Sequence, residues 1–235
     1  MTPPKDTPPN SCSPRPKNVC IILPDGGLQV LLMAAGLVRE LATTRRVLVC
    51  TDVANLKALP HLFAGIDVRF WFNEVDAETK ARSSGYEVMS LADEPGAMYA
   101  SVGMTPLDMH KKCVLNRDKI REQLVYDAVV DTNGPTYVLT WTGRGAWMAN
   151  LPEGVPVVEA ETIGYEDPFD LCMVMERAMQ VHAVDGWFLT LADLVGGQSM
   201  KFCHAYLSSN FLKCRKRYRK RVGIVTRAVN PTNKH

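Results

Sequence analysis

Three short stretches of this sequence set a charged residue beside glycine where the chain should turn: Asp25-Gly26-Gly27 in ILPDGGLQVLL, Gly143-Arg144-Gly145 in TWTGRGAW, and Asp185-Gly186 in HAVDGWFL. Glycine lets a ligand come closer to the backbone than a Cβ would permit. A carboxylate such as Asp25 can accept a proton from a reacting hydroxyl, or it can simply fix a tight turn. A guanidinium such as Arg144 can grip a diphosphate with two parallel hydrogen bonds, or stand as an exposed loop charge. Glu176, in MERAM, can meet a ribose or base, or with Arg177 form a solvated helix face. The turn at Gly26 and Gly27 has neither the GxGxxG of dinucleotide folds nor the closing Gly-Lys of a P-loop.

Other reactive residue types are scattered. Seven cysteines occur with no CxxC pair, most of them in apolar runs such as RRVLVC and FDLCMVME, where a thiol behaves as a small hydrophobe. This usage predicts a reducing, cytoplasmic setting without structural zinc. His61, His110 and His204 have no partner at metal-ligand spacing, and His182 reads as a core or capping histidine, so no protein-bound metal or cofactor is expected. Trp141 and Trp147 flank the Arg144 loop and could stack on a base or sugar, or pack in the core.

The elements that must position these residues alternate. NVCIILP (18–24) and RRVLVCT (45–51) read as strands buried on both faces, and GLQVLLMAAGLVRELATT between them has apolar residues at helical spacing. This is a βαβ unit with a parallel sheet. A helical VANLKALPHLFAG broken near Pro60, a strand IDVRFWF (66–72), a polar NEVDAETKARSSG that reads as a loop with at most one helical turn, and a helix RDKIREQLVYDAVVDTNGP follow. The alternation restarts with strands TYVLTWT (136–142) and VPVVEA (155–160). A helix DPFDLCMVMERAMQVH comes next, with Asp167 as N-cap and Pro168 in its first turn, then a brief strand at HAVD and a last helix WFLTLADLVGG. The fold class is therefore α/β, with two Rossmann-like halves on mostly parallel sheets at 18–130 and 131–212. They are preceded by a disordered, proline-rich leader (1–17) and followed by a basic tail (213–235).

Charge is distributed unevenly. The formal total is +2, but nine of the 27 Lys and Arg residues lie from Lys213 onward, and no Asp or Glu occurs after Asp193. Seven of them, Lys213, Arg215, Lys216, Arg217, Arg219, Lys220 and Arg221, form one run with Tyr218 among them. Such a run can hold nucleic acid or an acidic partner by releasing counterions, or serve as a solvated end that aids solubility. No stretch approaches the roughly 18 apolar residues that span a bilayer, and the leader lacks the apolar centre of a secretory signal.

Together, ILPDGGLQVLLMAAGLVREL and PFDLCMVMERAMQVHAVDGWFLTLADL resemble B-type glycosyltransferases of the fucosyltransferase and heptosyltransferase branch, including glycosyltransferase-like proteins of large DNA viruses. The resemblance spans roughly residues 18 to 210. It implies a GT-B-like pair of facing halves and a nucleotide-sugar as donor substrate rather than as a resident cofactor. It also implies a glycan or protein acceptor, with Asp25 as catalytic base and Gly26, Gly27, Arg144, Glu176, Asp185 and Gly186 around the donor. An inverting transfer is the mechanism it suggests. Three departures stand out: Gln29 follows Gly27-Leu28, Gly186 replaces the usual serine, and Trp141 or Thr142 stands where a histidine is common. Two readings follow, an active transferase and a catalytically inactive descendant that serves as a structural subunit, its tail bound to nucleic acid or an acidic partner. A third, another nucleotide-using α/β enzyme, has less behind it.

Overall fold

The computed structural model describes residues 18–23, 27–73, 75–91, 95–141, 151–184 and 186–196, and the backbone of 202–207 and 227–228. Asp25, Gly26, Arg144, Trp147, Asp185 and the basic run 213–221 lie outside the described residues, as does the leader.

The first half is a parallel sheet in the order β3-β2-β1-β4, formed by β1 (Val19–Ile22), β2 (Val47–Thr51), β3 (Val68–Phe72) and β4 (Glu87–Ser90). Every residue of β2 and the first three of β1 are buried, as runs of valine, leucine and isoleucine covered on both faces require. Helix α1 (Gly27–Ala42) joins β1 to β2 and is buried along most of its length. A 3-10 helix, Val53–Ala58, runs directly into α2 (Leu59–Phe63), with Pro60 in the first turn of α2, where its missing N–H leaves no bond unmade. The polar stretch after β3 forms α3 (Ala77–Ser83), two helical turns where the sequence suggests a loop with at most one. The short helices α4 (Pro95–Ala100) and α5 (Pro106–Lys112) then pack on α1.

Helix α6 (Lys119–Asn133) starts at its Asp118 cap and stops at Gly134, whose φ of +79° suits glycine. It spans the 130/131 boundary read from the sequence and packs on the second half, against α7 (Cys172–Arg177) and the 3-10 helix Pro168–Leu171. The second sheet, also parallel, has the order β6-β5-β7-β8-β9. Its strands are β5 (Val138–Trp141), β6 (Val157–Glu159), β7 (Gln180–Val184), β8 (Phe202–Leu207) and β9 (Arg227–Ala228), the last two lying beyond the strands read from the sequence. Asp167 caps as expected, but the helix it starts ends at Arg177, and residues 180–182 belong to β7. Helix α8 (Trp187–Val195) follows β7 and lies against α1, so the larger apolar core runs through both halves, and a smaller cluster of Cys20, Leu48, Cys50 and Ala81 lies on the other face of the first sheet's strands. Among the described residues, no helix is long and apolar enough to cross a membrane.

Candidate functional site

In each sheet the chain moves outward on one side and then returns to the other side of its starting strand. That reversal lies between β1 and β4 in the first sheet and between β5 and β7 in the second. In open parallel sheets, ligands bind outside the carboxyl ends of the strands at this point. In chain order Asp25 and Gly26 come after β1, Arg144 after β5 and Asp185 after β7.

The carboxyl ends of β1, β2 and β3 border a cavity of about 410 Å3 lined by Ile22, Leu23, Gly27, Cys50, Thr51, Asp52, Asn55, Asn73, Val75 and Ala77. Among the described residues, Gly27 is the predicted site residue that the cavity includes. It opens α1 at φ +56°, a left-handed conformation that disfavours any side chain, and no acidic residue stands in that first turn. The N-terminal amides of a long helix at such a place favour an anion or an electron-rich oxygen.

The polar wall of the cavity is built by strand ends. Asn55 and Thr51 are buried, and the Asn55 amide donates to Thr51 Oγ1 over 3.0 Å. Asp52 caps the following 3-10 helix, its Oδ1 accepting from the amide of Ala54 at 2.7 Å. Asn73, just past β3, sits at φ +47°, a region asparagine tolerates better than most residues. Its amide donates to the Thr51 carbonyl, and its Oδ1 accepts from the Val53 amide. Thr51, Asp52, Asn55 and Asn73 are absent from the residues singled out in the sequence, although Asp52 directly follows an obvious strand, RRVLVCT. At the cavity floor, Cys50 Sγ lies 3.5 Å from Cys20 Sγ; that contact and burial push the Cys20 thiol far above its ordinary pKa, which rules it out as a ready nucleophile.

The second half presents a different surface. Trp141, the last residue of β5, stacks on Phe188 with ring centroids 5.0 Å apart and meets Trp187 edge-on at 4.9 Å. These rings surround the start of α8, where Gly186 is the N-cap residue. A Cβ on Gly186 would meet nothing within 4 Å, so the absence of the usual serine is not a packing requirement.

Glu176 stands in an ion pair. Arg117 donates to both of its carboxylate oxygens, over 2.6 and 2.8 Å. Burial works to raise the Glu176 pKa, but the Arg117 hydrogen bonds and charge outweigh it and hold the carboxyl below its ordinary value. His182 is fully buried on β7 with Nε2 3.0 Å from Gln180 Oε1. Among the described residues, no three His, Cys, Asp or Glu side chains gather closely enough to hold a metal ion.

No protein-family model matches the chain, and no curated protein matches it in sequence. A search of solved structures does find likenesses. The crystal structure of the glycosyl transferase family 9 from Veillonella parvula DSM 2008 aligns over 96% of this chain and 90% of its own, with a TM-score of 0.56 and 8% identity. This chain has the fold of that protein. Its two parallel-sheet halves are accordingly GT-B-like. The bacterial iron-containing dodecameric glycosyltransferase TibC from enterotoxigenic E. coli H10407 covers 83% of this chain and 58% of its own at a TM-score of 0.43 and 11% identity, a likeness too loose to add to this.

Proposed function

We propose that this chain is a glycosyltransferase-like protein that transfers a sugar from a nucleotide-sugar to an acceptor hydroxyl. The observation that carries this reading is topological: the strands preceding Asp25, Arg144 and Asp185 are those that flank the reversal point of each sheet, and a cavity with one polar wall opens beside the first. In this reading the acceptor occupies the cavity by Thr51, Asn55 and Asn73. The nucleoside diphosphate lies at the start of α8, its base near Trp141 and Trp187 and its phosphates facing Arg144, Asp185 and Gly186. The acceptor oxygen attacks the anomeric carbon, a carboxylate accepts its proton, and the nucleoside diphosphate departs with the electrons of the broken bond. Asp25 is the first candidate for that base, and Asp52, which lines the cavity, is the second. Cationic and helix N-terminal groups stabilise the departing diphosphate.

Two observations favour a non-catalytic descendant as the second reading: Gly186 offers no hydroxyl, and Glu176 is already held by Arg117. In that case the run from Lys213 to Arg221 becomes the working surface, with nucleic acid or an acidic protein as its partner.

Thermal unfolding against a panel of nucleoside diphosphates and sugar nucleotides separates the two. A ligand at a hundred times its dissociation constant adds about 2.7 kcal/mol to the folded state, which for a chain of this size raises the midpoint by roughly 5–10 °C. The transferase reading expects such a rise for one nucleotide, lost in Arg144→Ala and in Asp185→Ala. No rise with any nucleotide at millimolar concentration overturns it.

A further inference from the structure

The wall of the cavity is tied to the second half by a histidine. His61, on α2, lies flat on Phe169, with centroids 4.4 Å apart and planes 11° from parallel. Its Nδ1 is 2.9 Å from the backbone carbonyl oxygen of Asn116, and its Nε2 is 3.4 Å from Oδ2 of Asp167. Both partners are acceptors. A neutral imidazole has one N–H and can serve only one of them, whereas the imidazolium donates to both. Asp167 cannot answer by swinging away without cost, because its Oδ1 accepts from the Phe169 amide at 2.9 Å to cap the helix that follows.

The charges around the ring leave Asp167 as the partner of His61. Asp170 also faces it, but Arg121 of α6 holds that carboxylate through two hydrogen bonds of 3.0 and 2.9 Å and reaches Glu166 as well. Lys57, one turn before His61, extends Nζ to the Glu166 carbonyl, and Arg39 of α1 donates to the carbonyl of Leu62. The cations near the ring therefore have partners of their own.

We propose that protonated His61 is a pH-sensitive clasp that ties the cavity wall, residues 53–63, to the segment 166–171 of the second half and releases it as the ring loses its proton. The Asp167 hydrogen bond raises the His61 pKa against the opposing effect of burial. A pKa raised in the clasped state fixes the sign: the contribution is complete below the ordinary histidine value of about 6.5 and is lost as pH climbs through the higher value. The 3-10 helix that Asp52 caps and that carries Asn55 continues into α2 without a break, so releasing His61 loosens the wall that faces the ligand. That consequence for ligand binding rests on the function proposed above; the clasp itself does not.

The test uses the full chain without ligand, so a failed nucleotide screen and a failed clasp are separate results. Ring-nitrogen NMR across pH 5.5 to 9 follows His61, and hydrogen exchange corrected for intrinsic rates follows the amides of 53–63 and 166–171. Asp167→Asn keeps a good N-cap while removing the charge. The expected result is a His61 midpoint above that of histidine in the denatured chain, a loss of protection in both segments over the same pH range, and a downward move of both midpoints together in Asp167→Asn. His61→Gln should abolish the step, and it decides the matter if the Asp167 variant fails to fold. A His61 midpoint at or below the denatured value, or a step in protection that survives in His61→Gln, overturns the clasp.

Discussion

Removing Arg117 should be the most damaging single truncation at the contact between α6 and α7. Its Nε donates to both oxygens of Glu122, over 2.7 and 3.0 Å, its Nη2 also contacts Glu122, and Nη1 and Nη2 hold Glu176. The Glu122 side chain is 1% exposed, whereas Glu176 is 29% exposed and can rehydrate when released. In Arg117→Ala the nearest remaining cation is Lys119, an exposed lysine 3.6 Å from Glu122. Stripping one partner from a buried ion pair costs about 3–5 kcal/mol, or a fall of roughly 6–20 °C in midpoint for a chain of this size. Urea unfolding at pH 7 measures the loss. Repeating it at pH 5 identifies its source, because a buried carboxylate without a partner takes up a proton more readily than one in the unfolded chain, so the deficit must shrink with acid. Arg117→Met combined with Glu122→Gln should recover most of the stability, since no fully buried charge is then left uncompensated and Glu176 can rehydrate. A deficit under about 1 kcal/mol, the ordinary worth of an exposed pair, or one indifferent both to acid and to Glu122→Gln, would refute the reasoning.

Two glycines give opposite expectations. A Cβ on Gly36 would meet Tyr99 Oη at 2.7 Å, the Met109 carbonyl oxygen at 3.1 Å and the Cys113 amide at 3.3 Å, so Gly36→Ala should cost about 1–3 kcal/mol in urea unfolding. Adding Tyr99→Phe should not fully restore it, because the two backbone contacts remain. Gly186→Ser meets open space at the N-cap of α8 and should add a few tenths of a kcal/mol. A clear loss of stability on that change would mean that the turn cannot take a side chain.

How much of this was readable depended on what holds each element. β1, α1 and β2 announce themselves because their side chains are buried and their periodicity is complete. β4 does not: Glu87 and Ser90 are exposed, and the strand is held by its backbone pairing with β1, which leaves little mark on side-chain pattern. The polar run after β3 hides α3, whose start at Asp76 is left-handed and whose exposed face is an i,i+4 pair, Glu78 with Arg82. The apolar residues after Asp167 keep helical spacing through His182, but Met179 donates its amide to the Tyr137 carbonyl and the chain leaves helix for sheet. Among site residues, Gly27 at the start of α1 is named in the sequence and lines the cavity. The polar cavity wall was not visible there, because Thr51, Asn55 and Asn73 converge only when β3 pairs with β2.

The seam between the halves limits which motions can admit a ligand. α1 connects the first two strands and also lies against α8, whose Phe188, Leu189 and Leu191 are fully buried. Exposing three such side chains costs about 1.5–3 kcal/mol each, a sum comparable to the 5–15 kcal/mol that holds a typical domain together. The same seam contains His110 and Asp193, both buried, with His110 Nε2 2.9 Å from Asp193 Oδ2. Wide opening along α1 and α8 is therefore disfavoured by the apolar surface it would expose. The cavity wall is fixed differently: Leu62 and Phe63 anchor it to the first half, while Lys57 and His61, with the stack on Phe169, join it to the second. Those cross-seam ties can part without exposing the apolar core of α1, so a substrate that needs more room than the resting cavity should gain it by movement of residues 53–63 and not by rotation of one half against the other.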